Sequence, residues 1–265
     1  MKSDIEISRE CRLYDIKKVA KKIGINSYYL ECYGKTKAKI NLNINKKLKD
    51  KEDGKLILVT STNPTPFGEG KTTMSIGIHD ALCKLGYNSL AVLREPSLGP
   101  VFGIKGGATG GGYSQVVPMD EINLHFTGDL HAIETCNNLL CAIIDNHIYQ
   151  GNELNFDLSK ITFQRCIDLN DRSLRNVTLK YDNKGLERDD KYNITVASEM
   201  MAILCLSEDL IDLKRRIGNI LVGYNVDDEP IYAKQLHCAD ALTILLKDAI
   251  KPNLVQTLEH NPVIT

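Results

Sequence analysis

One short segment limits the architecture of this chain more than any other. Thr65-Pro66-Phe67-Gly68-Glu69-Gly70-Lys71-Thr72-Thr73 lies between a continuous apolar run and a stretch with helical periodicity. The run, Leu56-Ile57-Leu58-Val59-Thr60, lacks the alternation of a half-exposed strand and suits one buried on both faces. Thr72 to Leu85 carries apolar residues at helical spacing, and Gly86 is placed for the left-handed turn that ends a helix. Ser89-Leu90-Ala91-Val92-Leu93 reads as a second buried strand. Strand, loop, helix, strand is a βαβ unit, which implies parallel strands and a right-handed crossover.

The glycines make the loop chemically specific. Gly68 and Gly70 let the chain turn without a Cβ clash. Backbone N–H groups from Gly68 to Thr72 then converge at the positive end of the helix, where phosphate oxygens are stabilised. Lys71 offers a point charge to the β- and γ-phosphates, and Thr72 a hydroxyl to Mg²⁺. The expected nucleotide-binding set is Thr65, Pro66, Phe67, Gly68, Glu69, Gly70, Lys71 and Thr72, with Thr72 as metal ligand. The usual pattern has glycine six residues before the lysine, where this chain has Thr65. A chance Gly-Lys-Thr is the bland alternative, and the flanking strand and helix signals argue against it. The predicted fold class is α/β: a P-loop NTPase-type, doubly wound, mostly parallel sheet with flanking helices.

Two further segments bear on the same end of that sheet. Arg94 leaves the second strand at its carboxyl end, where open α/β sheets bind ligands and a guanidinium meets anionic oxygens bidentately. A surface ion pair with Glu95 is the alternative role. Beyond it, Gly103-Ile104-Lys105-Gly106-Gly107-Ala108-Thr109-Gly110-Gly111-Gly112-Tyr113 costs much backbone entropy to order. Such a segment suits backbone that passes close to a ligand or moves over it; a flexible connector would be richer in serine.

Elsewhere the periodicity predicts a helix-prone, lysine-rich segment over residues 1–50, a long helix from Asp129 to His147, and helices over Val196–Leu206, Asp209–Ile217 and Lys234–Ile250. Asn219–Tyr224 and Asn253–Leu258 read as strands, and residues 170–192 as a polar surface excursion. The expected domains are 1–50, packed on the core, and 51–265, the nucleotide-binding part. Balanced charge, 33 basic against 34 acidic side chains, gives no pull toward nucleic acid or anionic membrane. The eight cysteines form no Cys-x-x-Cys pair and no secretory signal precedes them, so reduced thiols and a cytoplasmic location are expected. His125 and His131 are six apart, wrong for one helical face, and are read as structural.

These segments, joined by Val116-Val117-Pro118-Met119, Asn123-Leu124-His125-Phe126-Thr127-Gly128-Asp129, Ile144-Asp145-Asn146-His147-Ile148, Thr195 to Ile203 and Leu246 to Glu259, resemble formate–tetrahydrofolate ligase. The resemblance runs over nearly the whole chain from about Asn26. It implies that ATP activates formate as formyl phosphate, which passes its formyl group to tetrahydrofolate and leaves ADP and phosphate. In that reading the catalytic residues are Lys71, Arg94 and Lys105: Lys71 and the loop amides hold ATP, Arg94 neutralises the acyl phosphate, and Lys105 is a second cationic candidate. Mg²⁺ falls to Thr72, with Glu95 and Asp129 as alternatives, and a monovalent cation is a further expectation. Glu199 receives no chemical role. The resemblance also implies a homotetramer, and a chain that stops about half-way along the longer family pattern. The alternative is a catalytically silent ATP-binding module that needs the later segment, from which the folate pocket draws. One departure lies inside the match: Thr109 stands where the family has alanine.

Overall fold

The computed structural model describes residues 2–63, 65, 68–103, 107–181 and 185–265. In chain order its elements begin with α1 (Asp4–Glu10), α2 (Ile16–Lys22), β1 (Leu30–Tyr33), β2 (Lys37–Ile40), α3 (Ile44–Leu48), α4 (Lys71–Lys84), β3 (Ala91–Val92) and α5 (Leu98–Val101). Next come β4 (Gly110–Gly111), β5 (Ser114–Val117), α6 (Met119–Asn123), α7 (Asp129–Tyr149), β6 (Phe156–Ile161), β7 (Arg165–Ile167), β8 (Val177–Tyr181), β9 (Leu186–Asp190) and β10 (Tyr192–Ile194). The last are α8 (Glu199–Leu206), α9 (Leu210–Gly218), β11 (Leu221–Asn225), β12 (Pro230–Tyr232), α10 (Ala239–Leu245), β13 (Asn253–Thr257) and β14 (Pro262–Ile264). They form two compact units, residues 1–127 with 251–265, and residues 128–250.

In the first unit the strands β1-β2-β13-β14-β3 lie side by side, with β5 also paired to β13 and β4 to β5. β13 is the centre of this sheet, and all five of its residues are buried. It takes Ala38 of β2 opposite Leu254, Val263 of β14 opposite Val255, and Val117 of β5 opposite Gln256. Its apolar positions serve two clusters. Leu254 packs with Ile16, Val19 and Ala20 of α2, whereas Val255 and Val263 pack with Ile76 of α4 and Val116 of β5.

The fold is mixed α/β, but its sheets are not mostly parallel. Among the described residues only β14–β3 and β10–β7 run parallel; the other pairings are antiparallel. The reason lies in the connections, because only a few residues separate the strands in β1–β2, β4–β5, β8–β9, β11–β12 and β13–β14. The expected strand at residues 56–60 is also absent. Leu56 is 95% and Leu58 81% exposed, and neither has a strand partner. A buried strand needs neighbours, and here the sheet ends at the two-residue β3.

The second unit is built on α7, 21 residues long, whose Ile133, Leu140 and Ile144 are buried. Its core adds Met200 and Leu204 of α8, Leu213 and Ile217 of α9, Val222 of β11 and Leu242 of α10. The expected surface excursion at 170–192 instead holds the β8–β9 hairpin, which contributes Tyr181, Arg188 and Asp190 to buried positions.

Candidate active site

The loop from Thr65 to Thr73 meets a helix as the sequence predicts. α4 starts at Lys71, behind Gly68 and Gly70 at φ 87° and 69°, left-handed values that favour glycine. Thr65 and Gly68 close the turn: the Gly68 N–H donates to the Thr65 carbonyl at 3.3 Å, and the Thr65 hydroxyl to the Gly68 carbonyl at 3.2 Å. Pro66 and Phe67 lie outside the described residues. The Lys71 ammonium donates to Ser61 Oγ at 3.3 Å and pairs with the Glu69 carboxylate, which also accepts the Thr65 N–H. The hydrogen bond from Lys71, followed by that from the Thr65 backbone, holds the Glu69 carboxyl down at about 2. Thr72 is half-buried, and its hydroxyl has no hydrogen-bond partner among the described residues.

The far part of α4 is tied to the sheet by a buried acid. Asp80 Oδ1 accepts from the Thr257 hydroxyl at 2.7 Å and from Asn261 Nδ2 at 2.8 Å. One turn earlier α4 meets the glycine segment. A methyl group on Gly77 would lie 3.3 Å from Ser114 Oγ, and one on Gly110 only 2.1 Å from the Ser114 carbonyl oxygen and 2.8 Å from Ile76 Cδ1. β4, β5 and the helix therefore approach each other through positions where a side chain has no room.

This hairpin is held from a second side by α1. The Gly112 N–H donates to Asp4 Oδ1 at 2.8 Å, and Gln115 Nε2 donates to the Asp4 carbonyl at 3.1 Å. Sequence reasoning assigned Asp4 nothing, since a lone acid at a helix start reads only as a dipole partner. Lys105 lies outside the described residues. Arg94 is exposed, two residues beyond β3, and Asp129 is the buried first residue of α7 in the other unit. No group of three His, Cys, Asp or Glu placed to hold a metal occurs among the described residues.

The family model for formate–tetrahydrofolate ligase matches residues 2–265. The chain belongs to that family. Membership gives a ligase of one-carbon metabolism that joins formate to tetrahydrofolate with the use of ATP. In this ligase the lysine-bearing loop, the opening of α4 and the glycine hairpin all belong to the first unit. No helix among the described residues is long and apolar enough to cross a membrane.

Proposed function

We propose that the ligase binds ATP on the Gly68–Thr72 loop and forms formyl phosphate before transfer to tetrahydrofolate. The observation that carries this is the helix start: two left-handed glycines lead into α4, and Lys71 lies at its first position. Formate does not acylate an amine directly, because the leaving group would be oxide. Attack of a formate oxygen on the γ-phosphorus expels ADP and leaves a mixed anhydride. The N10 amine of tetrahydrofolate then adds to the formyl carbon, phosphate departs, and the nitrogen loses its proton.

In this scheme the protein positions and neutralises more than it reacts. The loop amides and Lys71 hold the β- and γ-phosphates. Arg94, at the carboxyl end of β3, and Lys105 offset the charge that builds on the transferring group. Mg²⁺ suits the free Thr72 hydroxyl, a hard oxygen donor, and when bound would neutralise phosphate charge there.

The test is ADP release with and without formate, beside Lys71→Ala. Formate-dependent release that falls at least about a hundredfold in Lys71→Ala supports the reading. Release that survives the substitution sinks the loop as the ATP site. Lys71-dependent ATP binding with no formate-dependent release would leave a nucleotide-binding module and sink the acyl phosphate step.

A further inference from the structure

Asn123 ends α6 and is 7% exposed. Its Nδ2 donates at 3.2 Å to the hydroxyl of Thr109, itself 1% exposed. Its Oδ1 is buried with no hydrogen-bond partner among the described residues. A methyl group added to Gly107 would lie 2.4 Å from that oxygen and 2.5 Å from Nδ2. The amide of Asn123 thus fills the space where a side chain on Gly107 would begin, and bonds to the chain two residues further on. From there the Thr109 carbonyl accepts the Val116 N–H at 2.9 Å, which carries the attachment into the hairpin beside α4.

A buried amide oxygen without a donor costs on the order of 1–3 kcal/mol, so packing alone favours an apolar residue at this place. The amide makes sense where it grips a segment that no side chain of its own can fix.

We propose that Asn123 is a positioning residue for the ligase reaction: with Thr109 it fixes the glycine segment 107–112 against α4 and so sets where that backbone stands beside the reacting groups. This rests on the reading above, in which α4 opens at the ATP phosphates.

The test combines hydrogen exchange with kinetics on the 265-residue chain. Asn123→Ala and Thr109→Val are expected to raise exchange at residues 107–117 while α4 and β13 keep their protection. In both, the kcat of formate-dependent ADP release should fall about tenfold with the KM for ATP within about twofold. Thr109→Ser, which keeps the hydroxyl, should match the unaltered protein. Gly107→Ala should lose more than Asn123→Ala, and the double substitution should recover at least about threefold over Gly107→Ala, because the added methyl enters the vacated space. Unchanged exchange at 107–117 in Asn123→Ala, or a double variant no better than Gly107→Ala, overturns the proposal. Loosened exchange with unaltered kcat overturns the positioning role and leaves the ATP reading intact. If the unaltered chain shows no Lys71-dependent release, the acyl phosphate step fails on its own, and the positioning role in that reaction, which rests on it, falls with it. Should Asn123→Ala fail to fold, Thr109→Val against the unaltered protein decides the matter, since threonine and valine have nearly the same shape and differ by the buried hydroxyl.

Discussion

Glu69 faces the same lysine that a phosphate would use. Its carboxylate accepts from the Lys71 ammonium and the Thr65 N–H, and that pairing keeps it charged at any pH well above about 2. Under the proposed reading a nucleotide would displace it. Glu69→Gln is expected to tighten ATP binding severalfold in calorimetric titration, by a factor that is the same at pH 6 and pH 8 because nothing at Glu69 titrates there. Weaker binding would show that the carboxylate helps to hold the loop instead. At His79 the cause runs the other way: burial pushes the imidazole down, with Asp80 opposing the shift, and Nδ1 lies 2.9 Å from Ser89 Oγ. A depressed histidine contributes stability above its unfolded value near 6.5, and the contribution is lost as the pH falls through the lower folded value. Urea unfolding should show lower stability near pH 5 than near pH 7, and His79→Gln should shrink that difference; an equal pH dependence in both proteins would count against it.

At the scale of elements, period was legible and pairing was not. α4 and α7 stand close to their expected spans, because each repeats apolar residues at helical spacing and meets a glycine at its start. The β1–β2 hairpin escaped notice, since a polar strand with Lys37 and Lys39 does not announce that Lys39 is buried, its ammonium donating to the Lys251 carbonyl at 3.2 Å. Residues 56–60 show the opposite error, an apolar run with no strand partner among the described residues. Leu58→Lys should therefore change unfolding free energy by less than about 0.5 kcal/mol, the usual bound for exposed positions. A loss of several kcal/mol would mean that the run is buried after all. Asp80→Ala, by contrast, leaves Thr257 and Asn261 without their acceptor and should cost about 2–4 kcal/mol by urea denaturation; a cost below about 1 kcal/mol would show the tie to be dispensable.

At the scale of the whole molecule the two units rely on different long-range devices. In the second, Asp145 of α7 accepts from Arg165, from Arg188 Nε at 2.8 Å and from the Tyr181 hydroxyl at 2.6 Å, while Asp190 takes both arginines. Burial and Asp145 push the Tyr181 phenol up to about 12, so it stays a donor across the working range. Removing one member strands buried charge: Asp145→Ala should destabilise by about 3–5 kcal/mol, and the loss should vary little with salt because the groups are shielded from ions. A small, salt-dependent loss would place the network at the surface. In the first unit, β13 brings Leu254 opposite Ala38, joining segments far apart in the sequence. The glycine-flanked lysine at a helix start, the long helices and the family could be read from the chain alone, because each is written in adjacent residues. Which strands pair, that most run antiparallel, and that Asn123, Asp80 and Arg188 are buried came from the folded arrangement, because contacts between separate segments leave no mark on the local pattern.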